Sequence, residues 1–106
     1  MRRVLVCLIL AAPTSVVAGQ SIADLTPYTP VTVSGIVDRV TDEDTFILRD
    51  HTGRIPVYLG PNRVPVVAGT AVTVSGFLDD DWPREIYADG LTTGDGQSFT
   101  FERRSD

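Results

Sequence analysis

The chain contains no lysine. All nine of its basic residues are arginine, set against fourteen acids, for a formal net charge of −5. Backbone neutralisation of nucleic acid needs clustered cations, so this balance speaks against that role. There is one cysteine and one histidine. A lone cysteine has no partner for an intrachain disulfide, and a Cys–His metal motif is excluded. His51 stands alone in the turn "DHTG" and reads as a solvated turn residue. Long apolar runs are missing too. Val4 to Ala12 is uninterrupted but too short to span a bilayer.

That run has another meaning. Arg2 and Arg3 precede it, and Val16 and Ala18 put small residues at the minus-three and minus-one positions of a cleavage site. Positive start, apolar centre and small-residue end describe a secretory signal peptide over residues 1–18. Cys7 lies inside it, without the small residues that a lipid-anchor site requires before the cysteine. The expected mature chain begins at Gly19, has no cysteine, and keeps seven of the nine arginines against all fourteen acids, a charge of about −7. The expected location is the periplasm or the outside of the cell. A chain this short makes one domain.

What is present is a phrase used twice. "VTVSG" runs from Val31 to Gly35 and again from Val72 to Gly76. Apolar and small polar residues alternate, the period of a half-buried strand, with Val31, Val33, Val72 and Val74 facing inward. A glycine inside a strand is unfavourable unless the strand bends or bulges there. Each copy leads into an acidic turn and a return strand: "TDED" then "TFILRD", and "DDDWP" then "REIYA". Between the two hairpins lie the turn "DHTG", the strand "RIPVYL", and a connector too rich in proline and glycine for a helix of any length. Ser21 to Leu25 has room for one helical turn before Pro27.

The pattern predicts an all-β chain with five strands near 31–40, 45–50, 54–59, 70–78 and 84–89, and little or no helix. Residues 19–30 form a lead-in, 31–91 the barrel, and 92–106 an extension with a short edge strand over Ser98 to Glu102 before a frayed end. Five strands with bends in the first and fourth fit a five-stranded Greek-key OB-fold barrel.

The stretch "VSGIVDRVTDEDTFILRDHTGRIPVYLGP" resembles the small exported bacterial OB-fold proteins, the BOF family of periplasmic stress-tolerance proteins. The signal peptide, "VxGxV", "DEDTFxLRDxTGxIxV" and a later "VxVxGxxDDD" carry the resemblance over most of the mature chain. Anticodon-binding OB domains use a similar "FxLRDxTGxIxV", because it encodes strand–turn–strand geometry and not a ligand. The connector after the third strand is shorter here than in the exported family. The resemblance implies an envelope or stress-tolerance role and names no ligand.

OB-folds bind ligands on the face of strands 2 and 3, between the loop joining strands 1 and 2 and the loop joining strands 4 and 5. In this chain those loops carry Asp42, Glu43 and Asp44, and Asp79, Asp80 and Asp81 followed by Trp82. Either loop alone is accounted for as a solvated turn. Their joint occurrence on the two recognition loops makes them a candidate site. Alternation on the face turns Phe46, Leu48, Ile55, Val57 and Leu59 inward, and Thr45, Ile47, Arg49, Arg54 and Tyr58 outward. Arg49 and Arg54 are expected to pair with Asp50, Asp44 or an anionic ligand group. Trp82 either packs over the barrel end or stacks on a ligand.

The expected function is a non-catalytic binding module. Its acidic loops favour a cationic or amine-bearing small ligand, or a basic segment of a partner protein. No cofactor is required. A divalent cation is the alternative occupant, with Asp44, Asp79 and Asp81 as its ligands. A nucleic-acid-binding OB module is the other reading, opposed by the charge. A metal-dependent secreted phosphodiesterase comes third: "TDEDT" and "DDDWP" lack the spacing and glycine of a calcium loop, and no serine neighbours His51 in sequence.

Overall fold

The computed structural model describes residues 20–26, 30–79 and 83–101. The signal-peptide segment, Asp80, Asp81, Trp82 and the last five residues therefore lie outside the described residues. The described residues form six strands: β1 Pro30–Asp42, β2 Thr45–Asp50, β3 Gly53–Tyr58, β4 Ala71–Asp79, β5 Glu85–Thr93 and β6 Ser98–Thr100. They run β3-β2-β1-β4-β5-β6, and a parallel pairing of β3 with β5 closes the first five into a mixed barrel. This is the OB-type arrangement that the alternating pattern predicts, with β6 added at the rim. Among the described residues the helical content is a single 3-10 turn over Ile22–Asp24. Among the described residues no helix is long and apolar enough to cross a membrane.

The two "VTVSG" phrases are paired with each other over their whole length. Val31 lies opposite Gly76, Thr32 opposite Ser75, Val33 opposite Val74, Ser34 opposite Thr73 and Gly35 opposite Val72. The repetition makes a local two-fold pair in which the four valines are all buried and the Ser34 and Thr73 hydroxyls bond at 2.8 Å. Gly35 stands where β1 changes partner. Residues from Pro30 to Ile36 pair with β4, and those from Ile36 to Asp42 pair with β2.

The physical reason for the glycines is close backbone approach and not a left-handed conformation. A Cβ on Gly35 would run into the Arg49 carbonyl oxygen, and one on Gly76 into the Tyr87 carbonyl oxygen. Both partners are main chain on adjoining strands, which a side chain cannot displace cheaply. Left-handed glycines are found instead in the loops, at Gly60, Gly69 and Gly96.

The inward residues of β1 to β5, with Leu59 just past β3, form one core that includes Phe46, Leu48, Ile55, Val57 and Ile86. The lead-in closes one end of it. Ile22 is buried, and its amide donates to Asp50 at 2.9 Å while the Ala23 amide donates to the Thr52 hydroxyl at 3.0 Å. The turn after β2 thus holds the 3-10 segment across the barrel. β5 runs to Thr93, four residues past the expected end of that strand, and Phe101 beyond β6 is buried in the core.

Three register shifts interrupt the ladders. Asp38 is an extra residue on β1 between the pairs Val37–Leu48 and Arg39–Ile47, and Thr41 is another between Val40–Phe46 and Asp42–Thr45. Asp89 is the extra residue on β5, opposite the Ser75–Gly76 step of β4. Bulges of this kind increase local twist and re-aim side chains, which a small barrel needs in order to close.

Candidate ligand-binding site

The first acidic turn divides into three different environments. Asp42 is exposed at the end of β1 and accepts from the Glu43 amide at 2.8 Å. Glu43 pairs with Arg63 of the connector at 3.4 Å, both side chains being well exposed. Asp44 is half-buried, accepts the Thr45 hydroxyl at 2.9 Å, and gives its carbonyl to the Leu59 amide at 2.9 Å. The connector therefore folds back on this turn. Val64 also donates to the Glu43 carbonyl at 2.8 Å. A groove of about 390 Å³ opens between the two, lined by Glu43, Asp44, Tyr58, Gly60, Asn62 and Arg63.

The two acidic loops meet electrostatically at Glu85, the first residue of β5. Burial pushes its carboxyl above the ordinary value of 4.5, and the charges of Asp79 and Asp44 push it further. Asp79 ends β4 and lies directly opposite Glu85 in the ladder. One residue from each recognition loop thus acts on a half-buried third carboxyl. Among the described residues no three of His, Cys, Asp and Glu are placed to hold a metal ion.

Beside these acids runs a row of aromatic rings. Tyr58 of β3 and Tyr87 of β5 are neighbours across the parallel closure, with ring centroids 5.1 Å apart and planes tilted by 49°. Phe77 of β4 is the ladder partner of Tyr87. Tyr87 and Phe77 are 42% and 38% exposed, while Phe46, on an inward position of β2, is completely buried. The row arises from the alternation: Ile86, Leu78 and Val57 point inward, so their neighbours Tyr87, Phe77 and Tyr58 point out.

This barrel is similar to a solved one. The structure described as that of the hypothetical protein ygiW from E. coli matches with a TM-score of 0.57 at 27% sequence identity, over 67% of this chain and 81% of that chain. No family model matches the chain, and no curated protein matches it. The likeness supports the OB-type barrel.

The arginines of that face do not pair as the sequence suggests. Asp50 is committed elsewhere: it accepts the Ile22 amide on one oxygen, and the Thr52 amide, the Thr52 hydroxyl and the Gly53 amide on the other. Burial acts to raise its pKa, but these four donors together hold it below the ordinary 3.8. Asp44 is likewise taken up with Thr45. Arg49 and Arg54 converge instead on Asp38, at 3.2 and 3.7 Å, and Arg39 joins them at 3.8 Å. The bulge at Asp38 is the cause, because it turns this carboxylate onto the β2–β3 face.

Of the expected site residues, the structure sets Asp44 beside Tyr58 in the groove, and Asp79 opposite Glu85 in the β4–β5 ladder. It places Glu43 in the lining of that groove, leaves Asp42 exposed at the end of β1, and gathers Arg49 and Arg54 around a different acid. Glu85, Tyr87 and Asp38 were not identified from sequence. Strict alternation had a signal for the first two, since "EIY" after the turn places Glu85 and Tyr87 on the outer face beside Tyr58 once β5 closes on β3.

Proposed function

We propose that this protein is a non-catalytic, exported binding module of the BOF type, working in the periplasm or outside the cell. Its ligand is an organic cation or amine-bearing small molecule held where Asp44, Asp79 and Glu85 adjoin Tyr58 and Tyr87. The observation that carries this reading is the raised pKa of Glu85, with Asp79 and Asp44 as its charged neighbours. Asp79 and Asp44 each repel Glu85, and a cation relieves that repulsion. The adjoining tyrosines offer π faces to the same cation. Spacing favours an extended amine over a compact metal ion, given that no three described donors share a point. A basic segment of a partner protein presents the same chemistry.

The test is thermal unfolding of the mature chain with spermidine and, separately, calcium. A ligand selective for the folded state raises Tm by mass action. Spermidine at millimolar concentration is expected to raise Tm in the parent and not in a Glu85→Gln, Asp44→Asn variant. No shift in the parent, or an equal shift in both proteins, would overturn the reading. Export is tested by mass spectrometry of the protein from its native host, which should show loss of about the first eighteen residues.

A further inference from the structure

We propose that Arg39, Arg49 and Arg54, gathered around Asp38, form an oxyanion-binding site on the β2–β3 face, for a small ligand carrying a phosphoryl or similar multiply charged group. This site is independent of the acidic end, about 13 Å away along the strands at ~3.3 Å per residue from Arg49 to Thr45.

Three observations support it. First, Arg49 and Arg54 are directly opposite each other in the β2–β3 ladder. Like charges so placed repel, and nothing in the pattern of a solvated strand requires them. Second, one carboxylate serves three guanidinium groups, so two positive charges remain on this face of an otherwise acidic chain. Asp50, next to Arg49 in the chain, has both oxygens engaged by Ile22, Thr52 and Gly53.

Third, only the Arg49 Nε bonds Asp38, at 3.2 Å. Arg54 and Arg39 stand at 3.7 and 3.8 Å, attracted but beyond hydrogen-bond length. Their planar forks keep donors for a second oxyanion, and forks of this kind match phosphate geometry. Asp38 itself shows that the three side chains reach a common point occupied by an oxyanion. Asp38 is itself only 20% exposed, but all three arginines are 45–68% exposed, so their guanidinium groups are reachable from solvent.

A surface ion-pair network is the competing account, with pairs worth under ~1 kcal/mol and no ligand. The two differ in what Asp38 does. In a network it is a partner; in a ligand site it is a competitor for the incoming anion.

Pyrophosphate is the probe, titrated calorimetrically into the mature chain at low and high salt. Binding is expected at low salt, weakened at least tenfold in Arg54→Gln and in Arg49→Gln, since a lost charge-assisted bond accounts for that much. Asp38→Asn is expected to bind more tightly than the parent. Arg54 is exposed enough that its variant should fold, which circular dichroism checks. No binding to the parent overturns the proposal, as does binding that Arg54→Gln leaves unchanged. Binding only by Asp38→Asn overturns it for the native chain. Stronger binding of a short oligothymidylate than of pyrophosphate, at equal salt, overturns the small-ligand assignment.

Discussion

Asp79 and Glu85 face each other directly across the β4–β5 ladder, two carboxyls in one cross-strand pair. Opposed like charges weaken a sheet, and a chain keeps such a pair at a cost in stability. Here the cost is visible in Glu85, whose pKa is raised first by burial and then by Asp79 and Asp44. A group with a raised folded pKa binds more protons folded than unfolded, so stability falls as pH rises from 4.5 through the raised value. Glu85→Gln is therefore expected to be more stable than the parent at pH 7. The difference should vanish at pH 4 and below, in denaturant titrations run at both values. A variant less stable than its parent at pH 7 would show that Glu85 makes a favourable contact there.

Gly76 and Gly35 provide a second prediction. Because the obstacle at each is a carbonyl oxygen of the next strand, even a methyl group is too large. Gly76→Ala and Gly35→Ala should each lose roughly 1–3 kcal/mol or more, in the range for overpacking a close contact. Gly69→Ala is the contrast. Nothing lies near its added Cβ, and only its positive φ of 92° opposes the change, so it should be the mildest of the three. Equal Tm values for all three variants and the parent would contradict the close-approach account.

Asp50 joins the turn after β2 to the 3-10 segment through four donors. Its pKa is lowered from 3.8, so its contribution is complete above that value and is lost as pH falls through the lower folded value. Asp50→Ala should lose about 1–3 kcal/mol at pH 7 in urea unfolding, the range for charged hydrogen bonds left unmade. The deficit should shrink as pH falls below 3.8 through the lowered folded value. Because the Ile22 amide is one of the four donors, Ala23 and Ile22 should also lose amide-exchange protection before the strands do.

Part of this site was readable beforehand because it depends on neighbours in the chain. Asp44 and Tyr58 follow from a turn and from period-2 alternation, and both stand where that logic puts them. Arg49 was legible as an outward residue but not its partner. Asp38 faces it only because an extra residue is inserted in β1, and no local pattern in "IVDRVTD" announces a bulge. Phe101 was similarly hidden. It falls within the short edge strand expected over Ser98 to Glu102, but its burial was not legible: β6 ends at Thr100, and Phe101 beyond it packs into the core with its amide donating to the Asp89 carbonyl at 3.0 Å.

The sequence by itself determined the strands, their inward faces, the turns between them and the need for glycine at two mid-strand positions. Each of these is a contest among adjacent residues for backbone geometry and burial, settled within a few positions. Tertiary structure alone decided that the two "VTVSG" phrases lie against each other, that β3 meets β5 in parallel, and that Tyr58 therefore lies 5.1 Å from Tyr87. It also decided that Glu85 feels Asp79 and Asp44 together. Register, bulges and closure are set by how one core fills from five strands at once, and charges distant in sequence become neighbours only when that packing is complete.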